Sequence, residues 1–383
     1  MKKIDNALLS KESNLAKFPI HRLKRIDKPT NIITDGVKRV DPRDSPFGKA
    51  SRSLYGPEVQ KRFFKLNAKD AFTTTLSELT AHLGKATLND SNPLKAEITD
   101  SPDLLTHHMR QLGYYLQADI VGIGKVPETA YYSVNLQGEP IDLKYRHAIV
   151  LVKRKDYDTM YASNGRDWSG GPLSYMPYQH LALISQTIAS YIRRLGYSAM
   201  AEHMFCNPKI PGASSYDVLI PPLLLWAGIG EVSRAGIILN PFLGLGYKAA
   251  AVLTDLPLID DKPIDFNLQD FCKWCELCAE MCPTRAIPTG DKTLYNGYQT
   301  WKLDDEKCGQ FFICNYKGHG CNTCVKICPW TRPDSWNHNL VRSAVERSSI
   351  ARLVAIKADS FLKDRRREHP AQKWWFDTTM PAE

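Results

Sequence analysis

Several things are missing from this chain, and each absence closes a class of function. It has no apolar run of the roughly 20 residues a membrane helix needs; the nearest, Val218 to Gly230, is broken by Pro221 and Pro222. Its opening, Met1-Lys-Lys-Ile-Asp-Asn, has neither an apolar signal core nor a twin-arginine pair. The expectation is a cytoplasmic protein without a membrane span, or a periplasmic one if the numbering starts after a removed leader. Gly228-Ile-Gly230-Glu-Val-Ser-Arg234-Ala-Gly236 looks like a dinucleotide fingerprint, but Ser233 stands where the third glycine belongs, which speaks against nicotinamide binding. No aromatic-interleaved basic module marks a nucleic-acid binder, and no internal repeat is present beyond a cysteine pattern taken up next. Cysteine itself is nearly absent outside one stretch: of ten, only Cys206 lies beyond Phe271 to Pro329. That confinement, in a chain this long, excludes the disulfide framework of small secreted proteins, and Cys206 reads as a small buried hydrophobe.

What remains is concentrated in that stretch. Cys272-Lys-Trp-Cys275-Glu-Leu-Cys278-Ala-Glu-Met-Cys282-Pro283 is an unbroken C-x2-C-x2-C-x3-C-P run. This spacing gives three thiolates to one [4Fe-4S] cluster and the fourth to a second. Cys321-Asn-Thr-Cys324-Val-Lys-Ile-Cys328-Pro329 repeats the pattern with Gly318 at its first position. One cluster then takes Cys272, Cys275, Cys278 and Cys328. The other takes Cys282, Cys321, Cys324 and either Cys308 or Cys314, between which spacing does not choose. Zinc fits poorly, because structural zinc draws two ligands from each knuckle and needs no C-P-terminated runs.

The 383 residues, 43% hydrophobic and 24% charged, have the composition of an ordinary globular protein with room for a large core and a smaller module. The net charge of +9 is partly gathered in Arg22 to Lys28 and Lys363 to Arg367. It reads either as a solvated face or as attraction to an acidic electron donor of the ferredoxin or flavodoxin type. Four regions are expected: an arm over residues 1–100, a core over 101–265, a cluster module over 266–332 and a tail over 333–383, with Trp330, Trp336, Trp374 and Trp375, all after Pro329, packing back on the core. The arm is turn-rich, with one convincing helix near Ala68 to Leu83. In the core, Pro102 to Tyr115 and Gln179 to Leu195 carry helical periodicity, while Ala118 to Gly124 and Ala148 to Val152 read as buried strands. Gly236 to Leu239 and Ala249 to Leu253 are further strands flanking the loop Asn240 to Lys248. The fold class is α/β (α+β).

Several blocks, in order, resemble the corrinoid-dependent reductive dehalogenases: Ala118 to Gly122, His147 to Val150, Ile192-Arg-Arg-Leu-Gly-Tyr197, Ala227-Gly-Ile-Gly-Glu-Val-Ser-Arg234, Leu253 to Leu258, Phe271 to Pro283, Glu306-Lys-Cys308 and Cys321 to Trp330. The resemblance implies a nitroreductase-like core holding base-off cobalamin, a ferredoxin-like module with two [4Fe-4S] clusters, and an organohalide substrate. It favours Cys308 as the eighth ligand. It also implies a tyrosine proton donor and a basic partner, best matched by Tyr178, with Tyr175 competing, and by Lys248. Gly244, Gly246, Tyr178 and Lys248 are the expected corrinoid contacts.

A free phenol, with a pKa of about 10, is a reluctant acid at neutral pH. A nearby ammonium would stabilise the phenolate left behind. Lysine rather than arginine at this place resembles the family members that act on halogenated phenols, which implies such a substrate, since an ammonium would also pair with its phenolate. The cobalamin-binding D-x-H-x-x-G pattern is absent, and the ten histidines, including His107 and His108, show no ligand spacing. Two rivals remain. Epoxyqueuosine reductase shares the length, the two clusters and the Cys-Pro-Trp ending, but uses an aspartate as its acid. A non-catalytic two-cluster carrier needs far fewer residues than this core provides.

Overall fold

The computed structural model describes residues 15–32, 34–85, 94–96, 101–205, 217–316, 318–361 and 367–375. Cys206 and residues 362–366 lie outside them. Among the described residues three α-helices precede the core, α1 (Pro46–Ser51), α2 (Pro57–Phe64) and α3 (Ala71–Lys85). The first two were not expected. Both start with Pro at the first helical position, after Ser45 and Gly56 respectively, and the Ser45 side chain accepts the Gly48 N–H as a cap.

The core runs α4 (Pro102–Tyr115), β1 (Ile120–Lys125), β2 (His147–Arg154), α5 (Tyr157–Ala162), α6 (Pro172–Arg194), β3 (Ala199–Glu202), α7 (Ile220–Trp226), β4 (Glu231–Val232), β5 (Ile238–Leu239) and β6 (Tyr247–Thr254). The main sheet has the order β1-β2-β6-β3 and every pairing is antiparallel. Its strands nevertheless read as unbroken apolar runs, because both faces are covered. Ile149 and Leu151 of β2 pack with Leu181, Ile184 and Ile188 of α6. Ala148, Val150 and Val152 pack on the other side with Leu223 and Leu224 of α7. A strand alternates its side chains between faces, so two covering layers demand apolar residues at consecutive positions. The architecture is α+β.

The cysteine-rich part follows as α8 (Leu268–Trp274), α9 (Leu277–Glu280), the hairpin β7 (Thr293–Tyr295) and β8 (Tyr298–Thr300), α10 (Asp305–Cys314) and α11 (Thr323–Ile327), and then α12 (Trp336–Arg347) and α13 (Ser349–Phe361). Its interior is continuous with core residues: Phe271, Cys272, Trp330 and Val345 share one cluster with Leu239 and Leu245. The four tail tryptophans divide. Trp330 is buried edge-on against Phe266 and Phe271, and Trp375 against Trp168. Trp336 and Trp374 are 81% and 65% exposed, contrary to the expectation that all four pack inward. The helices before the core lie on both other regions: α3 packs along α6, Phe47 meets Phe312 edge-on, and Lys49 and Tyr55 bind Glu306. The basic run at Arg22 to Lys28 is partly spent on internal contacts, with Lys24 paired to Asp265 and Arg25 donating to the Lys262 carbonyl. Among the described residues no helix is long and apolar enough to cross a membrane.

Candidate active site and cluster ligands

The nine cysteines of the module are free thiols, and eight of them fall into two groups. Burial raises the Cys272 thiol, and neighbouring Cys328 and Cys275 raise it further. Cys275 is pushed up to about 12 by burial and by Cys328, and Cys278 is raised by burial, Cys328, Cys272, Cys324 and Cys275. The second group is centred on Cys324, pushed up to about 12 by burial and by Cys321, Cys308 and Cys282. Cys308 rises to about 11 through burial, Cys321 and Cys282. Cys282 is the exception: burial raises it, but hydrogen bonds from the Thr284 side chain and from backbone N–H groups outweigh that and lower it.

Cys314 belongs to neither group. It is six residues from Cys308 on α10, which at about 100° per residue puts the two roughly 120° apart around the helix. Around Cys314 the chain meets the N-terminal region, with Lys69 donating to the Ile313 and Asn315 carbonyls at 3.4 and 2.7 Å and Arg62 to the Cys314 carbonyl at 3.4 Å. Of these eight thiols Cys272, Cys275 and Cys328 are buried and the others half-buried; where burial and neighbouring thiols disfavour the thiolate, a cation among them would restore it, and four neighbouring thiols are the number of donors a [4Fe-4S] cluster takes.

Arg234 holds the first group in place. Its side chain, 1% exposed, donates to the carbonyls of Cys272, Lys273, Pro288 and Gly290 at 3.0, 3.1, 3.0 and 3.0 Å. Glu231, three residues earlier, accepts the backbone N–H of Phe266 at 2.9 Å and the Gln269 side chain at 3.1 Å. The Gly-Glu-x-x-Arg block therefore grips both ends of α8.

Beside the second group lies a cavity of about 430 Å³. Tyr175, Tyr178, Lys248 and His319 line it, Cys308 opens onto it, and Phe47, Phe63 and Leu66 of the N-terminal helices wall one side. Tyr178 comes from α6, directly after Pro177, which has no N–H to give the preceding turn. The Lys248 ammonium sits over the Tyr178 ring, 4.6 Å from its centroid. Tyr175 differs: it is 4% exposed, its hydroxyl donates to Asn67 Oδ1 at 2.6 Å, and burial raises it. Tyr178 is thus the one of the pair set against a cation.

Lys248 is on β6, opposite Lys153 of β2, and not in the preceding loop as expected. The Asn240 side chain accepts the N–H groups of Phe242 and Leu243, Gly244 turns at φ +58°, and the Gly246 N–H closes onto Leu243. The turn is complete by Gly246, so the strand starts at Tyr247. Gly244 and Gly246 do not line the cavity. A Cβ on Gly244 would meet Thr331 at 2.5 Å and one on Gly246 at 3.2 Å, so these glycines admit the segment after Cys328. His319, read with the other histidines as ordinary, lies in the cavity wall, 3% exposed, and burial lowers it to about 3. Only its place between Gly318 and Cys321 hinted at this.

A family profile described as a 4Fe-4S dicluster domain matches residues 271–332. A tetrachloroethene reductive dehalogenase of Desulfitobacterium hafniense is 31% identical over 214 residues, 53% of this chain and 36% of that protein. The solved catabolic reductive dehalogenase NpRdhA superposes with a TM-score of 0.90 at 31% identity, over 98% of this chain and 54% of that one. This chain is related to the reductive dehalogenases. It spans about a third of the curated relative and about half of the solved one. An epoxyqueuosine reductase of Aliivibrio fischeri is 25% identical over 289 residues, 68% of this chain and 70% of that protein. The fold expected from the reductive dehalogenases is the one found.

Proposed function

We propose that this chain is a reductive dehalogenase that replaces a halogen on a haloarene, in particular a halogenated phenol, by hydrogen. One observation supports the reading: Tyr178, Lys248 and Cys308 line one cavity, with the Lys248 ammonium over the Tyr178 ring; in this reading they are proton donor, counter-cation and cluster ligand. Cys272, Cys275, Cys278 and Cys328 would hold the first [4Fe-4S] cluster, and Cys282, Cys308, Cys321 and Cys324 the second. A base-off corrinoid bound at this cavity would supply low-potential electron density at its cobalt.

Tyr178 gives its hydroxyl proton to the carbon that loses halide. Lys248, over the ring face, compensates the charge spread through the phenolate. The same ammonium pairs with a substrate phenolate, and the apolar wall of Phe47, Phe63 and Leu66 receives the arene and excludes water. The solved complex of NpRdhA with 3-bromo-4-hydroxybenzoic acid supports the substrate class, and a solved reductive dehalogenase described as B12-dependent supports the corrinoid. The electron donor proposed is an acidic ferredoxin or flavodoxin, matched to the net charge of +9. The four-region division of the chain is retained as part of this proposal.

Anaerobic reconstitution with iron, sulfide and hydroxocobalamin tests the reading. About one cobalt and about eight iron per chain are expected, with turnover of ortho-bromophenol under a low-potential reductant. Iron without retained cobalt would overturn the proposal in favour of a carrier. Activity on epoxyqueuosine-containing tRNA alone would overturn it in favour of the other relative.

A further inference from the structure

One buried charge is not used by the chemistry above. Lys155 follows β2 directly and is 5% exposed. Its backbone N–H donates to the Gly246 carbonyl at 2.8 Å, and its ammonium to Asn322 Oδ1 at 2.6 Å. Asn322 lies between Cys321 and Cys324, two ligands assigned to the second cluster. Among the described residues no carboxylate pairs with Lys155: burial and Lys248 hold it well below the usual lysine range, and Cys324 is the neighbour that opposes them. The neighbouring Lys153, by contrast, reaches Asp119 at 3.6 Å.

Burying an ammonium without a counter-charge costs several kcal/mol, and an apolar residue of similar size would avoid that cost. Among the described residues the group that offsets it is Cys324, one of the thiols assigned to the second cluster. A cluster ligated by four thiolates is a net anion, and it gains one more negative charge on reduction. A fixed cation beside it therefore favours the reduced state over the oxidised one.

We propose that Lys155 is the counter-cation of the second cluster and raises that cluster's reduction potential, so that an electron arriving from the donor protein rests beside the Tyr178 cavity. The step is a one-electron transfer: the donor, an iron-sulfur or flavin protein, is oxidised and the cluster reduced, with no bond made or broken. Asn322 positions the ammonium against the cysteine turn. The inference rests on the reading that this chain binds two clusters.

The test is a potentiometric titration of the reconstituted protein, followed by electron paramagnetic resonance, on the wild type, Lys155→Gln and Lys155→Arg. Iron analysis of the wild type comes first. Fewer than two clusters there would overturn the underlying reading and this proposal with it. With two clusters in place, Lys155→Gln is expected to lower one midpoint and leave the other. At fixed ambient potential its reduced-to-oxidised ratio should fall about tenfold, equivalent to about 59 mV for a one-electron couple. Lys155→Arg, which keeps the charge, should stay within about threefold of wild type, or about 30 mV. Unchanged midpoints in Lys155→Gln, or equal shifts in both variants, would overturn the proposal. If Lys155→Gln loses the second cluster, its retention in Lys155→Arg supports the counter-cation role, and its loss from both overturns it.

Discussion

Removing the Arg234 guanidinium should release the first cluster loop. Its side chain makes four bonds to carbonyls of the Cys272 turn and the Pro288 to Gly290 segment, pairs with Glu276 at 3.2 Å, and lies 4.6 Å over the Trp301 ring. Hydrogen bonds involving a charged group are worth about 1.5–3 kcal/mol each. Summing four of them would overshoot, because the carbonyls partly relax to other donors. Breaking one side of a buried charged network typically costs about 3–5 kcal/mol, a large part of the roughly 5–15 kcal/mol that holds a domain folded. Arg234→Met keeps most of the apolar volume and removes every donor, so it isolates this term.

The assay is anaerobic urea unfolding of the reconstituted protein with iron determined per chain. The expected result is destabilisation by about 3–5 kcal/mol and loss of about half the iron, since one cluster of two is affected. Arg234→Lys should recover little, because a single ammonium cannot span four carbonyls in a fixed fork. An unfolding free energy within about 0.5 kcal/mol of wild type, with iron retained, would refute the reasoning.

Two further outcomes follow from the same geometry. Cys308→Ser should lose the second cluster while Cys314→Ser keeps both; the reverse pattern in iron per chain and resonance spectra would reverse the ligand assignment. His203 is fully buried between Gln186 and the Met204 carbonyl, and burial lowers it to about 4 from an ordinary value of 6.5. Between those values the unfolded chain binds the proton and the folded chain does not. Stability should therefore decline as pH falls from about 6.5 toward 4, by about 3 kcal/mol from this residue. Replacing His203 with Gln should flatten that part of a stability-against-pH curve, and an unchanged slope would remove His203 from the account.

The proposed cluster ligands could be named from the sequence because iron-sulfur spacing is local: seven of the eight come from two short runs, and the preference for Cys308 over Cys314 came from the family resemblance rather than from spacing. The strands β2 and β6 were legible as apolar runs, since a sheet covered on both faces leaves no polar alternation. The helices α1 and α2 were overlooked although Ser45-Pro46 and Gly56-Pro57 are start signals, because six- and eight-residue helices carry too little periodicity to register. Lys248 was assigned to a loop because nothing local says that the Asn240 turn closes two residues before it. The contacts of Lys155 and Arg234 could not be read from the sequence, and His319 was hinted at only by its place beside Cys321. Their meaning lies in contacts to segments between roughly 40 and 250 residues away.

The central claim is that Tyr178 is the proton donor, and turnover of an ortho-bromophenol by reconstituted Tyr178→Phe tests it most directly. The ring and its contact with Lys248 survive this change and only the hydroxyl is lost. Positioned acids contribute about 10²–10⁴-fold, so the account predicts a fall in kcat of that size with cobalt and iron content at wild-type levels. Unchanged turnover at full cofactor loading would contradict it.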